Sequence, residues 1–481
     1  MSTIDIAVFV LYFTVMISVG VYFYIRNKNI DDYYVGGRSL GSWHIGLSVV
    51  ATDVGGGFSI GLGGLGFLIG IAGSWMLFTG LIGAWLSALL LIPVICSLSD
   101  KKKFYTFPQI FEHHYNSNVA LIAGIISAIG YTGFTSSQLL AGAKLASATF
   151  VEIDMSAALV IMGVIAIVYT GIGGLKAVIY TDTVQWLILM CGLIFIAIPV
   201  SYNAIGGMDA IRATIGPEFL SLSNVTWQQL LNWFVTIIPI WFVGMTLYQR
   251  MYASKNVRQA RKAWFIAGLF EWPLMAFMGV LLGMFARVAF ENNMFAELGF
   301  AADAGIDSET ALPVLLNTVL PAGVMGLVLS AYFSAILSTA DSCLMAASGN
   351  VQTDILKKLF KLKNTTRAQL TMSQVITLTI GVLALMLATY MTNVLELMLY
   401  SYAFMVSGLF VPVLAALYSK RPNATAAMSA MILGGSTTII LIIAAVPLPF
   451  GLDANIFGIT SSVIVYYVVN LASRNKYLDA C

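Results

Sequence analysis

The residues with the clearest potential for chemistry lie in the segment SAILSTADSC. Ala335, Ser338 and Thr339 are spaced i, i+3 and i+4, so on a helix they project from one face. A carbonyl and two hydroxyls on one face suit a hard cation, which takes oxygen ligands. Ser and Thr in membrane helices also commonly bond back to the preceding turn, so the spacing alone leaves both interpretations open.

A second source of oxygen ligands is the segment ATDVGGG. Asp53 stands directly before a glycine-rich run, and an unwound backbone there would free the carbonyls of Ala51 and Val54. An ionisable residue within an apolar run is costly and is therefore a functional candidate. We assign Asp53 to the binding or coupling of an ion or a substrate, without choosing between them.

The elements that must hold these residues are membrane-spanning helices. Hydrophobic residues make up 59% of the 481 residues and charged residues 10%, with a mean hydropathy of +0.89, whereas soluble domains carry about a quarter charged residues. Apolar runs of about 20 residues, enough to cross a bilayer, recur along the chain. We predict a single all-α polytopic transporter domain over residues 1–481, with about thirteen transmembrane helices near residues 4–25, 43–70, 73–98, 118–150, 156–174, 182–204, 226–251, 260–290, 313–346, 366–391, 393–418, 424–446 and 453–473.

The basic residues predict the orientation of these helices. With the N-terminus outside, all of the 24 Lys and Arg residues except Lys144, Arg212 and Arg287 fall in cytoplasmic segments, and Arg250 is among those so placed. The run over 4–25 has no basic residue before it and no evident cleavage site, so we expect a retained helix. The pattern favours a multi-pass protein of the inner (plasma) membrane, with the C-terminus in the cytoplasm.

Two of the predicted helices carry signs of a break. The second run is interrupted by a cluster of glycines, and the seventh contains Pro239 and Gly244. Free backbone groups at membrane depth are tolerated where they line a binding cavity. Because the two runs lie five helices apart, we predict two inverted five-helix repeats over 43–204 and 226–418, with one extra helix before them (4–25) and two after (424–473). The alternative for the glycines is close helix packing.

The sequence argues against an enzyme. It has no Walker loop and no dinucleotide fingerprint, and its three histidines lack a metal-binding cluster. Four cysteines are expected to be packing residues without disulfides: Cys96, Cys191, Cys343 and Cys481. We expect no cofactor other than a sodium ion as co-substrate, no nucleic acid and no obligate protein partner.

Longer motifs resemble one transporter family along nearly the whole chain. DDYYVGGRSLG, GGLKAVIYTDTVQ, LYQRMYASKNVRQARKA, STADS and YSKRPNATAAMSAMILGG are similar, in order and spacing, to motifs of the sodium:solute symporter family. The resemblance implies a LeuT-like fold. It also implies a sodium site whose ligands are Ala51, Val54, Ala335, Ser338 and Thr339. A second sodium, held in some members, would use Asp182, Thr339 and Ser342.

The function expected from this resemblance is sodium-coupled symport of a small organic solute by alternating access. Asp53 matches an aspartate of the proline symporters, while VGGGF and DMSAALVIMG resemble the choline branch, so the solute stays open. The alternatives are a proton-coupled symporter that uses Asp53 or Asp182 as carrier and, from another class, a solute sensor with a transporter fold.

The substrate should bind beside the broken helices. The candidates are Gly56, Gly57, Phe58, Tyr131, Gln138, Trp241 and Tyr248. Trp241 is equally compatible with a core position, and Gln138 with a tie between two helices.

Three further charges lie in apolar runs without an evident partner. We expect Lys144 to snorkel to the outer surface and Glu396 to be solvated. Glu271 is expected to serve as a gating or structural hydrogen bonder.

Overall fold

Helices account for nearly all of the regular structure. The computed structural model describes residues 2–26, 35–53, 55–150, 152–170, 175–300, 305–360 and 366–478. Within these ranges the β-structure is a single isolated bridge between Leu40 and Ser254. The predicted all-α class is confirmed.

The first half of the chain contains long helices and shorter connecting ones. They are α1 (Thr3–Arg26), α2 (Ser42–Asp53), α3 (Gly55–Ile69), α4 (Trp75–Leu90), α5 (Ile92–Lys102), α6 (Pro108–His114), α7 (Ser117–Thr149), α8 (Met155–Thr170), α9 (Leu175–Gly192), α10 (Ile198–Ala204) and α11 (Gly207–Thr214). A π-helical turn over Leu193–Ala197 joins α9 to α10.

The second half of the chain likewise contains long helices and shorter connecting ones. Its helices are α12 (Trp227–Val243), α13 (Met245–Ala253), α14 (Val257–Leu269), α15 (Ala276–Glu291), α16 (Ser308–Val319), α17 (Val324–Gly349), α18 (Lys357–Phe360), α19 (Thr366–Ala388), α20 (Val394–Tyr418), α21 (Ala424–Ala444) and α22 (Ala454–Leu478). A π-helical segment over Phe270–Met275 connects α14 to α15.

The number of spans depends on how broken helices are counted. Among the described residues, nine helical stretches are long and apolar enough to cross a bilayer, and the bent pair α12–α13 makes a tenth. Shorter apolar segments occupy Thr3–Met16 and Met155–Ile167. One stretch, Ser59–Leu90, covers parts of two predicted spans because a 3-10 turn joins α3 to α4. The figure of about thirteen helices therefore remains a prediction.

Both predicted breaks are present. At the first, Gly55, the residue at which α3 begins, has a φ of +35°, which departs from helical geometry; Val54 lies outside the described residues. In the second, α12 and α13 meet at Gly244 with a bend of 43°. Pro239 lies inside α12, so the second break falls at the glycine rather than at the proline.

The centre of the molecule is α17. Every residue from Val328 to Gly349 is buried, and α7 packs along it. At the periphery, α22 exposes Ile464, Tyr467 and Val468. An outer helix with large apolar side chains on its exposed face is what a lipid environment requires.

The glycine run of α3 divides into two parts. In its C-terminal half a Cβ atom at Gly66 would lie 2.2 Å from the carbonyl oxygen of Val280, and one at Gly283 would lie 1.9 Å from that of Gly63. Here the glycines allow α3 and α15 to pack backbone against backbone, as the packing interpretation expects. At the N-terminal end of α3, Gly55 instead faces Thr339 and Gly57 faces Gln138.

Candidate functional site

Three of the predicted sodium ligands meet where α2 gives way to α3. The hydroxyl of Thr339 donates to the carbonyl oxygens of Ala51, at 3.2 Å, and Ala335, at 3.0 Å. All three residues are buried. A Cβ atom at Gly55 would lie 2.5 Å from Oγ1 of Thr339, so the glycine lets α3 begin directly against α17. Val54, the fourth predicted ligand, lies outside the described residues.

The fifth predicted ligand, Ser338, bonds to a neighbouring cluster of polar residues around Asp182. Its hydroxyl donates to Oδ1 of Asp182, on α9, and the hydroxyl of Ser48 donates to Oδ2 of the same carboxylate. Ser338 and Thr339 thus bring the two predicted ion sites side by side on α17. The carboxylate of Asp182 is fully buried.

Arg250 belongs to the same cluster around Asp182. The guanidinium of Arg250 is fully buried and lies 3.2 Å from Oδ2 of Asp182. It also donates to Ser342 Oγ at 3.2 Å and to Ser48 Oγ at 3.0 Å. The assignment of Arg250 to a cytoplasmic loop is therefore wrong. Its position within the segment that follows the second break was the available signal for a buried role.

Side chains of α7 cap both broken helices. Oε1 of Gln138 accepts a hydrogen bond of 3.2 Å from the backbone N–H of Gly57, near the start of α3. The hydroxyl of Tyr131 accepts one of 3.1 Å from the N–H of Thr246, near the start of α13, and lies 3.0 Å from Oγ1 of Thr246. Both contacts satisfy N–H groups that a helix start leaves without a partner. Gln138 does tie two helices together.

Tyr248 bridges the second break from the other side. Its hydroxyl donates to the carbonyl oxygen of Phe242 at 2.7 Å, and its ring packs 4.5 Å from that of Phe107. The residue is fully buried. The contact satisfies a carbonyl left free by the end of α12.

Trp241 lies against α4. A Cβ atom at Gly83 would lie 2.4 Å from Cδ1 of the indole, and Trp264 packs edge-on at 6.4 Å. The indole is fully buried, and its N–H finds no hydrogen-bond acceptor in the described part of the chain. Gly56 and Phe58, the remaining substrate candidates, belong to α3.

Asp53 has an acidic neighbour that its sequence position did not reveal. The hydroxyl of Tyr402 lies 3.4 Å from Oδ1 of Asp53, and the carboxyl of Glu271 interacts with that of Asp53. Glu271 is fully buried in the π-helical segment, where a Cβ atom at Gly80 would lie 1.9 Å from its Oε2. The depth of Glu271 was foreseen, but its partner was not.

Lys144 does not snorkel to the surface as expected. Its ammonium group is buried, 2.7 Å from Oε2 of Glu309 and 2.6 Å from Oδ2 of Asp307. The carboxylate of Glu309 also accepts from the N–H groups of Val394 and Leu395, at the start of α20. This network joins α7, α16 and α20. Glu396, by contrast, is exposed, which agrees with its expected solvation.

The comparisons with known proteins agree with this arrangement. A family model described as the sodium:solute symporter family matches residues 33–434. The osmoregulated proline transporter OpuE of Bacillus subtilis is 27% identical over 96% of this chain and 94% of its own. The sodium/glucose cotransporter of Vibrio parahaemolyticus is 30% identical over 74% of this chain and 69% of its own.

Solved structures support the fold. A Na+-coupled sialic acid symporter aligns over 97% of both chains with a TM-score of 0.77 and 22% identity. The nucleobase-cation-symport-1 family transporter Mhp1, in a closed conformation, covers 94% of this chain and 96% of its own, with a TM-score of 0.56 and 12% identity. Both neighbours have the LeuT fold, so the LeuT-like architecture is confirmed.

The family match covers most of the sequence, and the relatives are transporters rather than enzymes. The helices are arranged as in the solved sialic acid symporter, with a TM-score of 0.77. This multi-pass membrane transporter belongs to the sodium:solute symporter family.

Proposed function

We propose that the protein is a secondary active symporter that imports a small organic solute together with sodium by alternating access. The observation that carries the proposal is the meeting of Ala51, Ala335 and Thr339 at the first break. Two carbonyls and a hydroxyl there form an oxygen-lined position of the kind that hard cations take. The site joins α2 to α17, so an ion bound there would stabilise one arrangement of the two helices over another.

The proposed ion site has five ligands, with Val54 and Ser338 completing the three that meet. Ser338 would exchange its bond to Asp182 for the ion, which is a rotation of one hydroxyl. The relatives named as sodium symporters support sodium as the ion.

A second sodium at Asp182, Thr339 and Ser342 is less favoured. The guanidinium of Arg250 contacts both Asp182 and Ser342, so a second cation there would be placed beside a fixed positive charge. We therefore propose one sodium per cycle, with the Asp182–Arg250 pair as a structural group beside the site.

The orientation follows from the basic residues. We propose an N-terminus outside and a C-terminus in the cytoplasm of the inner membrane, with two inverted repeats over 43–204 and 226–418. Removing Arg250 from the cytoplasmic residues does not change this assignment. The other basic residues placed there still give a clear excess.

Uptake into proteoliposomes tests the coupling ion. An inward sodium gradient should drive accumulation of one solute from a panel of amino acids, sugars, organic cations and monocarboxylates, and a proton gradient alone should not. Accumulation that follows the proton gradient without sodium would contradict the proposal. Liposomes without protein provide the control for leak.

A proton-coupled symporter is the second candidate, and the contact between Asp53 and Glu271 favours it. Two neighbouring buried carboxyls can hold a proton between them. Asp182, the other expected proton carrier, is already paired with Arg250 and is poorly suited to release and bind protons. The proton-gradient arm of the same uptake experiment decides between the two candidates.

A further inference from the structure

We infer that the transported solute carries a positive charge on an amino or ammonium nitrogen, and that Glu271 and Trp241 bind it beside Asp53. This inference rests on the proposed solute symport and names the chemical class of its substrate. It is carried by a buried pair of carboxyls without a donor from another residue, by a buried indole N–H without an acceptor, and by the charges of a cavity that involves the same helices.

The carboxyl group of Glu271 lacks the donors that a buried carboxylate requires. Its partner is the carboxyl of Asp53, and no N–H or hydroxyl group of another described residue donates to either oxygen, although the side chain is fully buried. Its neighbour is the carboxyl of Asp53, which is an acceptor when ionised. Two adjoining buried carboxyls are strongly unfavourable when both are ionised, so the pair calls for a shared proton, a cation or a donating ligand.

The nearby cations do not meet this need. The guanidinium of Arg250 is committed to Asp182 and to the hydroxyls of Ser48, Thr52 and Ser342. Lys144 is committed to Asp307 and Glu309. Asp53 and Glu271 thus adjoin each other, and neither forms an ion pair with Arg250 or Lys144. One sodium beside Asp53 and one cationic solute at Glu271 would balance both.

Trp241 supplies the second, independent observation. Gly80 and Gly83 are spaced i, i+3 on one face of α4; the carboxyl of Glu271 meets the first and the indole of Trp241 meets the second. The buried indole N–H has no acceptor in the described ranges. An aromatic ring beside a carboxylate suits an ammonium group, through cation–π attraction. The free N–H in turn suits an oxygen on the same solute.

A bare metal ion fits this pair less well. Sodium is bound by a shell of oxygens, and an indole N–H is a donor that cannot be a ligand. An organic cation that also carries a hydroxyl or carbonyl oxygen uses both groups.

A separate cavity that involves other parts of α3, α12 and α20 has matching charges. It measures about 800 Å³ and is lined by residues of α3, α12 and α20 together with the segments 223–226 and 453–454. Among its lining residues the charged ones are Glu396 and Asp453, and no Lys or Arg is present. Acidic groups at the mouth of a cleft raise the local concentration of cations. The same sign of charge therefore occurs in this cavity and at Asp53 and Glu271.

The first test compares solutes that differ only in charge. Purified protein in sodium buffer is heated with choline or with 3,3-dimethylbutan-1-ol, its uncharged carbon analogue, and the Tm is recorded. Ethanolamine and putrescine extend the cationic series, and proline and glucose represent zwitterions and sugars. Stabilisation by one or more cations but not by the uncharged analogue is the expected result. Equal stabilisation by the analogue, or stabilisation by proline or glucose alone, would overturn the inference.

The second test uses the variant Glu271→Gln with the control Glu291→Gln. Glu291 lies at the surface, paired with Arg287 at 2.6 Å, so its substitution leaves the centre intact. We expect Glu271→Gln to weaken binding of the cation at least tenfold and the control to leave it unchanged. Unchanged binding in Glu271→Gln would remove the residue from the site. The solute comparison needs no variant and decides the inference even if Glu271→Gln does not fold.

The two proposals fail in different ways. Accumulation of proline or a sugar under a sodium gradient, with no response to any cation, leaves the symporter standing and overturns the cationic solute. Binding of a cation to Glu271 without sodium-driven accumulation of any solute overturns the symporter and leaves the cation site.

Discussion

Thr339 is the residue through which sodium binding can be tested most directly. Its hydroxyl lies within 3.2 Å of Ala51 O and 3.0 Å of Ala335 O, so Thr339→Ala removes one ligand and leaves both carbonyls in place. We expect the half-saturating sodium concentration for uptake to rise about tenfold, equivalent to about 1.4 kcal/mol. Thr339→Ser keeps the hydroxyl and should remain within about twofold of the unmodified protein. A normal sodium requirement in Thr339→Ala would remove this residue from the site.

The buried pair of Asp182 and Arg250 makes a different prediction. Breaking a buried ion pair from one side costs about 3–5 kcal/mol because the remaining charge is left unpaired. Asp182→Asn and Arg250→Gln should each lower the Tm of the purified protein strongly, and the double variant should lose less than the sum. Additive losses would show that the two charges are not coupled. A sodium Hill coefficient near two in the unmodified protein would instead indicate that a second sodium binds.

The sequence could predict those residues whose relation is local. Ala335, Ser338 and Thr339 lie on one turn of a helix, and Asp53 adjoins a visible break, so spacing alone groups them. Partners that lie far apart along the chain escaped prediction. Arg250 is 68 residues from Asp182 and 202 from Ser48, and Lys144 is 165 from Glu309. Those contacts depend on how the helices pack, which no spacing rule contains.

At the scale of elements, α7 holds the two breaks at fixed points. Gln138 caps α3 through Gly57, and Tyr131 caps α13 through Thr246. Gln138→Leu and Tyr131→Phe keep most of the side-chain volume and remove the cap, at a cost of about 1 kcal/mol each. We expect a lower Tm with little change in the KM for the solute. A raised KM at an unchanged Tm would instead place these two side chains in contact with the substrate.

The two acidic partners of Lys144 differ in burial. The side chain of Glu309 is 2% exposed and that of Asp307 is 44% exposed. Exposed ion pairs contribute about 0–1 kcal/mol, whereas an unpaired buried charge costs several. Lys144→Met and Glu309→Leu should therefore lower the Tm much more than Asp307→Asn, which is the matched control in the same network. Similar Tm values for all three variants would contradict a buried anchor at this position.

Most element positions and both element breaks could be predicted in outline. Most apolar runs coincide with helices, because the length of a bilayer and the need to satisfy backbone groups leave few alternatives. The predicted helix over 313–346 is wrong, because α16 ends at Val319 and α17 begins at Val324. The second break was expected in the segment that contains Pro239 and Gly244, and the chain bends at Gly244. A proline removes one hydrogen bond, but the backbone departs from helical geometry at the glycine. The glycine run of α3 similarly combined packing and site-forming positions that composition cannot separate.

For the whole molecule, the charges that move in one cycle set the energy available for transport. One positive charge crossing 100 mV supplies about 2.3 kcal/mol, and a tenfold sodium gradient adds about 1.4 kcal/mol. One sodium thus supports accumulation of a neutral solute by roughly several hundredfold. If the solute is itself a monovalent cation, two charges cross together and the electrical contribution doubles.

The dependence of accumulation on membrane potential therefore reports the charge of the solute in the unmodified protein. With one sodium per cycle, a neutral solute should gain about 1.6 decades of accumulation per 100 mV and a monovalent cation about twice that, from the same two energies. The measurement is steady-state uptake in proteoliposomes at a fixed sodium gradient, with the potential set by potassium and valinomycin. At zero potential both kinds of solute should reach only about tenfold, which provides the internal control. A slope of about 1.6 decades for a cationic solute would mean that a positive charge is returned in the same cycle.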